Sequence, residues 1–122
     1  MFRIKPVIVL CVIALAAASP LRAHSFPERA EPLVGVATEI SPTQVRIWFD
    51  GAIEPAFSTL RVLNERGQLV NMEKSQVNAD NPRLLEARVA PLPAGTYRVV
   101  WNVVARDGHR TQGDYVFTIK NK

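Results

Sequence analysis

The strongest constraint on the fold is a pair of alternating segments near the C-terminal end of the chain. The first, Thr96–Ala105, is rich in β-branched and aromatic residues and sets four of them on one side: Tyr97, Val99, Trp101 and Val103. In the second, Tyr115, Phe117 and Ile119 alternate with Val116 and Thr118. Because successive side chains of a strand point to opposite faces, each segment predicts a half-buried β-strand.

Shorter segments of the same kind come before this pair and are separated by residues that favour turns. Five further strands are predicted: Leu33–Ile40, Gln44–Phe49, Ser58–Leu63, Leu69–Met72 and Leu84–Val89. Gly95-Thr96-Tyr97 is typical of the tyrosine corner of immunoglobulin-like domains. We find no convincing helical stretch after residue 23. The sequence therefore predicts an all-β fold, a seven-stranded Greek-key β-sandwich or barrel of immunoglobulin-like type.

The first 23 residues have the layout of a secretory signal peptide. A basic start is followed by the apolar run Val7–Ala18 and by Ala23, a small residue at which a signal peptidase can cut. The apolar run is shorter than the ~20 residues that a membrane-spanning helix needs. We expect cleavage after Ala23, with cleavage after Ala17 or Ala18 as the alternative. Residues 24–122 are then one domain in the periplasm, with no membrane insertion of the mature chain.

Removal of this segment changes the charge and the redox chemistry of the chain. Of the 15 Lys and Arg residues, Arg3, Lys5 and Arg22 leave with it, so 12 basic residues face 11 acidic ones and the net charge falls from +4 to +1. A charge this small gives no support to nucleic-acid binding. Cys11, the one cysteine, is also lost, so the mature domain has neither a thiol nor a disulfide and depends on packing for its stability.

The chain has two histidines, His24 and His109. Cleavage after Ala23 makes His24 the N-terminal residue, which offers its free amine and its ring Nδ1 to one metal in a six-membered chelate. His109 follows Asp107 and Gly108 between the last two predicted strands. Residues two apart in an extended segment point the same way, so Asp107 and His109 are expected to face one ion, and Gly108 allows the backbone to bend between them.

These groups supply three nitrogens and one carboxylate oxygen, a donor set that suits Cu(II) in a square-planar or tetragonal array. The absence of cysteine and the near absence of methionine argue against Cu(I), which prefers sulfur. Zinc can occupy the same donors, but the affinity of divalent ions generally peaks at copper. The sequence therefore predicts one Cu(II) per chain, held by His24, Asp107 and His109.

The chain resembles the CopC-like copper-resistance proteins over essentially its whole mature length. The resemblance rests on His24 and on six short stretches: Glu31-Pro32, Ile47-Trp48-Phe49-Asp50, Pro93-Ala94-Gly95-Thr96-Tyr97, Val100-Trp101-Asn102-Val103-Val104, Asp107-Gly108-His109 and Gly113-Asp114-Tyr115-Val116-Phe117. It implies a periplasmic seven-stranded Greek-key sandwich that carries copper, often beside a CopD-like inner-membrane protein. It also implies a Cu(II) site formed by the amine and ring of His24, the carboxylate of Asp107 and the ring of His109.

Two departures from the family pattern limit what the resemblance implies. Some members bind Cu(I) through a loop that contains methionines and a histidine, but the matching stretch here, 64–81, contains only Met72. A second, Cu(I) site is therefore not expected. Some members place a glutamate near the copper just after the strand that ends in Phe49. Asp50-Gly51 stands there in this chain, and Asp50 is a weak candidate for an outer contact.

Binding rather than catalysis is the predicted activity, because we find no arrangement of hydroxyl, histidine and acid that indicates a nucleophile with its base. Two other classes stay open at this point. The first is an immunoglobulin-like interaction module without metal. The second is an oxidative copper enzyme of the kind that also uses an N-terminal histidine on a sandwich fold. Trp48 and Trp101 are interpreted as packing residues, since large aromatic side chains normally serve packing.

Overall fold

The computed structural model describes residues 25–122 as two four-stranded β-sheets packed face to face. The strands are β1 Pro27–Glu31, β2 Ala37–Thr38, β3 Gln44–Phe49, β4 Thr59–Leu63, β5 Gln76–Val77, β6 Leu84–Arg88, β7 Gly95–Val104 and β8 Arg110–Ile119. A single 3₁₀ turn, Pro55–Phe57, precedes β4. The predicted signal peptide, residues 1–23, and His24 lie outside the described residues. Within the described part, no helix is long and apolar enough to cross a membrane.

The strand order confirms the predicted fold class. One sheet has the order β1-β3-β6-β5 and the other β2-β8-β7-β4. Every pairing is antiparallel except the short parallel pairing of β2 with β8. With the strands lettered in chain order and β2 left aside, these are the A-B-E-D and G-F-C sheets of an immunoglobulin constant-type sandwich.

The structure has eight strands where the sequence predicts about seven, because β1 and β5 were not predicted and the strand predicted over Leu69–Met72 is not formed. β1 pairs with β3 in the first sheet, and the chain then crosses to the second sheet, where β2 pairs with β8. β1 was not predicted, and of the strand predicted over Leu33–Ile40 only Ala37–Thr38 is formed. The amino end of the described chain therefore supplies two short edge strands, one to each sheet.

The remaining strands follow the predicted alternation more closely. β3 has the predicted bounds, and β4, β6 and β7 each lie within one residue of theirs. β8 begins at Arg110, well before the alternating apolar residues. The return strand predicted over Leu69–Met72 is wrong: that segment makes only isolated bridges, Leu63 with Leu69 and Asn71 with Val89.

The core fills the space between the sheets with side chains from alternate positions. Its largest fully buried members are Phe49, Phe117, Ile47, Ile53, Leu60, Leu85, Val45, Val62, Val99 and Val103. Trp101 packs edge-on against Phe49, with ring centroids 5.5 Å apart. The outer face of the first sheet holds Trp48, whose ring lies 4.4 Å from the Arg29 guanidinium carbon. Both tryptophans therefore have packing contacts, as interpreted from the sequence.

The tyrosine corner predicted at the start of β7 is formed. The Tyr97 hydroxyl donates to the Pro93 carbonyl at 2.7 Å, and its ring stacks on Phe117 with centroids 5.5 Å apart. These contacts fix the end of the sandwich at which β7 begins. The β7–β8 turn lies at the opposite end, because β7 and β8 pair antiparallel over their full lengths.

Candidate metal centre

The turn between β7 and β8 is closed by backbone and side-chain hydrogen bonds. The Ala105 amide donates to the His109 carbonyl at 2.9 Å, and the Gly108 amide donates to the Ala105 carbonyl at 2.9 Å. Gly108 has φ +91°, a conformation that a residue with a side chain rarely adopts. The Asp107 Oδ1 accepts from the His109 amide at 3.0 Å. The local sequence Asp-Gly-His therefore determines the turn, with glycine at its bend and aspartate bonded across it.

The same turn brings the Asp107 and His109 side chains together. Asp107 Oδ2 lies 2.7 Å from His109 Nδ1, and the two side chains are 31% and 58% exposed, respectively. One carboxylate oxygen thus serves the backbone while the other meets the ring. In the neutral imidazole with its proton on Nδ1, the ring donates to the carboxylate and Nε2 is the ring nitrogen with a lone pair that can bind a metal. Solvent has access to the pair.

The amino end of the described chain is attached beside this turn. Thr111, two residues after His109, donates from Oγ1 to the Ser25 carbonyl at 2.7 Å. Ser25 is 2% exposed, and its own hydroxyl donates to the Ala52 carbonyl at 3.3 Å. Residue 25, the immediate neighbour of His24 in the chain, is therefore held against the first residues of β8.

Asp50 secures the next residue. Its Oδ1 accepts from the Phe26 amide at 2.7 Å, and its own amide donates to the Phe26 carbonyl at 2.8 Å. This two-way contact attaches the start of the chain to the end of β3. The sequence makes Asp50 a weak candidate for an outer contact to the metal. In the structure its carboxylate instead bonds to the backbone of Phe26, two residues after His24.

Of the three predicted ligands, the structure brings Asp107 and His109 together, and His24 lies outside the described residues. Among residues 25–122, no group of three or more His, Cys, Asp or Glu side chains is placed to hold a metal ion. Ser25 and Thr111 were missed as residues that position the site. The available signal was that Thr111, the first inward-facing residue of β8, is polar where an apolar residue is expected.

The family of this chain follows from a match to a family model. The model of the CopC domain matches residues 28–120, which is most of the described chain. The chain belongs to the CopC family. This confirms the resemblance seen in the sequence.

Two relatives that carry copper in their names match most of this CopC domain. Copper transport protein CutJ of Bacillus subtilis (strain 168) is 31% identical over 98 residues, which cover 80% of this chain but only 18% of that protein. The chain thus spans less than a fifth of CutJ. Copper resistance protein C of Escherichia coli is 29% identical over 116 residues, covering 93% of this chain and 90% of that protein.

Solved structures of CopC proteins share the fold. The crystal structure of CopC from Methylosinus trichosporium OB3b has a TM-score of 0.74 and 37% identity, covering 80% of this chain and 95% of that one. PcoC from Escherichia coli, described as a methionine-rich copper resistance protein, has a TM-score of 0.70 and 28% identity over 80% of this chain and 100% of that one. This CopC chain differs from that description, because it has only two methionines.

Proposed function

We propose that the mature chain is a periplasmic protein that binds one Cu(II) ion and carries or buffers it. The ligands in this proposal are the amine and ring of His24, the carboxylate of Asp107 and the ring of His109. The observation that carries it is the position of Ser25. The Thr111–Ser25 hydrogen bond attaches the residue after His24 to β8 two residues after His109, and this supports the proposal that both histidines bind one ion.

The geometry of the Asp107–His109 pair suits a square-planar ion. Bonds from a metal to nitrogen and oxygen are about 2.0 Å long, so two donors at neighbouring corners of a square plane lie about 2.8 Å apart. Asp107 Oδ2 and His109 Nδ1 are 2.7 Å apart. A metal bound to both atoms lies to one side of the line that joins them, so the proton must leave and both side chains must rotate to direct their lone pairs at the ion. With the proton kept on Nδ1, His109 would bind through Nε2 instead.

The donor set favours Cu(II) over other ions. Nitrogen and oxygen donors suit divalent copper, whereas Cu(I) selects sulfur. Met72 is the one methionine of the mature chain. It lies in the segment that follows β4 and not in the β7–β8 turn that contains Asp107 and His109. Asp107 and His109 are also open to solvent, which suits an ion that must be acquired and passed on rather than retained in a closed structural site.

The relatives indicate the setting of this function. CutJ is named as a copper transport protein, and the part that this chain matches is a small fraction of it. We propose that the present domain supplies copper in the same kind of system, to a CopD-like protein of the inner membrane. The domain itself then acts as a binding protein and not as an enzyme.

The proposal is tested by adding one residue in front of His24. A Gly-His24 form keeps every side chain but converts the free amine into an amide, which removes one nitrogen donor. We expect it to fold like the processed protein but to bind Cu(II) more than about a hundredfold more weakly, because even an outer-shell partner of a ligand is worth ten- to a hundredfold in affinity. Circular dichroism checks folding and a competition titration with a chelator measures affinity.

Mass spectrometry of the processed protein, with and without Cu(II), provides the reference for this comparison. It fixes the N-terminal residue and the number of ions bound. Equal Cu(II) affinity for the two N-termini would exclude the amine as a ligand. Absence of stoichiometric binding to the correctly processed chain would leave a metal-free immunoglobulin-like module as the better description.

A further inference from the structure

Among residues 25–122, no strand covers the outer edge of β8 next to the candidate metal centre. β8 pairs with β7 along its whole length, but β2 accompanies it only at Thr118 and Ile119. The Gly35 amide extends that cover to the Val116 carbonyl at 2.8 Å. Along residues 110–115, the described chain provides no strand on this side. Since Val116 and Thr118 direct their backbone groups outwards, the alternation of a strand directs those of Arg110, Gln112 and Asp114 outwards too.

The other edge of the same sheet is covered by side chains. Along β4, the Val62 amide donates to Asn71 Oδ1 at 2.8 Å, and the Asn71 Nδ2 donates to the Leu60 carbonyl at 2.9 Å. The Leu60 amide donates to Ser75 Oγ at 2.8 Å. These side chains satisfy the backbone groups that a further strand would use. An open edge is a template for pairing with another chain, and proteins normally block it in such ways.

The edge of the first sheet at β1 is protected differently. β1 contains Pro27, which has no amide hydrogen to donate, and its pairing with β3 shifts register between Pro27 and Arg29. A proline and a bulge both discourage further pairing. Over residues 110–115, β8 has no proline and a regular register with β7. Within residues 25–122, it is therefore the longest stretch of sheet edge that carries none of these protections.

The charges along this edge are complementary to themselves. Arg110, Gln112 and Asp114 occupy alternate, exposed positions on the outer face of the sheet. Within one copy, Arg110 also donates to Asn102 Oδ1 at 2.8 Å and Arg98 donates to Asp114 Oδ2 at 2.7 Å, so both charged groups contact β7. If a second copy of the edge is laid antiparallel with Gln112 opposite Gln112, each Arg110 faces an Asp114. A parallel arrangement in register sets Arg110 on Arg110, and an antiparallel register shifted by two residues loses the charge pairing. Opposite charges directly across a ladder stabilise it and like charges destabilise it.

We propose that β8 is a homodimer interface, at which two copies of this chain pair their Arg110–Tyr115 edges antiparallel about Gln112. The two four-stranded sheets then form one continuous eight-stranded sheet across a twofold axis. The inference does not depend on copper. In this register each His109 lies opposite residue 115 of the second copy, so the two Asp107–His109 turns are about 20 Å apart along the strands. A single ion does not bridge them.

The test is a concentration series of the processed protein by analytical ultracentrifugation, with copper and with EDTA. We expect a reversible monomer–dimer equilibrium that is equal in the two conditions. Arg110→Asp sets two acidic pairs across the interface, and Asp114→Arg sets two basic pairs. Each is expected to weaken the dimer by about tenfold or more. The double variant Arg110→Asp with Asp114→Arg restores both opposite pairs and is expected to restore the dimer.

Arg61→Asp is the matched control, because it reverses an exposed charge on β4, the covered edge of the same sheet. It should leave the equilibrium unchanged. Residue-resolved hydrogen exchange gives a second readout that needs no variant. The Arg110, Gln112 and Asp114 amides should gain protection as the concentration rises, while those of Thr111, Gly113 and Tyr115 are protected throughout by β7.

Three results would overturn the proposal. A monomer at every concentration up to the millimolar range would exclude pairing between two copies of β8. The edge would then be a place where an extended segment of another protein can pair. A dimer that Arg110→Asp and Asp114→Arg leave unchanged would place the interface elsewhere. A dimer that EDTA dissolves would be bridged by metal.

Discussion

Two turns of this domain are built in nearly the same way, one after β4 and one between β7 and β8. In the first, Asn64 Oδ1 accepts from the Arg66 and Gln68 amides at 3.0 and 2.9 Å. In the second, Asp107 Oδ1 accepts from the His109 amide at 3.0 Å. Each turn also contains a glycine in the left-handed region, Gly67 with φ +75° and Gly108 with φ +91°.

The turns differ in what the remaining side-chain atom does. Asn64 uses its Nδ2 inside its own turn, where it donates to the Gln68 side chain at 3.0 Å. Asp107 directs its second oxygen to the ring of His109 at 2.7 Å. One oxygen is therefore enough to form a turn of this kind. The second carboxylate oxygen and the imidazole are not needed to close a turn of this kind, and they are the atoms that we propose as metal ligands.

The largest expected effect comes from Asp107→Asn. Asparagine keeps an oxygen that can accept from the His109 amide but replaces the second oxygen with a nitrogen that cannot ligate a metal. We expect Cu(II) affinity to fall by more than about tenfold while the free energy of unfolding changes by less than about 0.5 kcal/mol. Chelator competition and urea unfolding measure the two quantities.

His109→Gln is the companion variant of Asp107→Asn and should lose at least as much Cu(II) affinity. If Asp107→Asn bound Cu(II) as tightly as the parent protein, Asp107 would be a turn residue only, equivalent to Asn64. If Asp107→Asn lost stability as well as Cu(II) affinity, the second oxygen of Asp107 would be needed for folding, and the two turns would not differ in this respect.

Asn64→Ala should give the opposite result. It removes three side-chain hydrogen bonds from a turn far from the site. We expect the free energy of unfolding to fall by about 1–2 kcal/mol, since these bonds are exposed and each contributes at the lower end of the usual range. The Cu(II) affinity should stay the same. A urea titration with an unchanged slope would show that stability alone was altered; a weakened copper site would contradict the separation of the two ends.

The glycines allow a more balanced test, because a Cβ at either position meets nothing within 4 Å. Gly67→Ala and Gly108→Ala should each cost about 1 kcal/mol of unfolding free energy, from backbone conformation alone. Only Gly108→Ala should also weaken Cu(II) binding, because its strain is relieved by movement of the Asp107–His109 turn. Equal copper affinities for the two variants would show that the pair tolerates a relaxed backbone.

The smallest expected effect is electrostatic and belongs to the end with the Asn64 turn. Burial first, and the nearby Glu65 carboxylate second, raise the pKa of the Tyr97 hydroxyl above its usual value of 10.0. The unfolded chain therefore loses this proton first, so the stability that Tyr97 contributes is complete below pH 10 and is lost as the pH rises through its folded-state pKa.

Glu65→Gln tests this coupling because the amide oxygen can still accept from the Thr96 amide, as Glu65 Oε1 does at 2.9 Å. We expect a slightly shallower fall of stability above pH 10, measured by urea unfolding at several pH values. Burial raises the pKa of Tyr115 as well, and its contribution should be the same in both proteins. Parallel curves for Glu65→Gln and the parent protein would mean that the Glu65 charge does not reach Tyr97.

The sequence predicts the central strands well and the edges poorly, for one physical reason. β3 and β7 are buried on one face, and their alternation is complete. β1 buries only Ala30, so its side chains show no period. The first half of β8 places Thr111 and Gly113 on the inner face, where neither adds an apolar signal. The segment after Leu69 fails as a strand because the side chain of Asn71, rather than its backbone, bonds to β4.

The site is predictable only where its parts are close in sequence. Asp107 and His109 are two residues apart, so their proximity is predictable from the sequence, although a turn bent at Gly108 forms the contact rather than the extended segment that was expected. The contact between Ser25 and Thr111 joins residues 86 positions apart, and no local pattern indicates such a pairing. The family pattern drew attention to Asp50, but its bond to the Phe26 amide depends on the pairing of β1 with β3, which the sequence did not predict.

The hydrogen bond from Thr111 to Ser25 also has a consequence for the order of folding. A chain is made from its amino end, so Ser25 exists long before Thr111 can meet it. Contacts between residues so far apart in sequence are slow to form, because a long loop must close before they contribute. The amino end should therefore be among the last parts of the domain to form its native contacts. A growing or partly translocated chain would then hold copper poorly, so metal capture would wait for a finished domain.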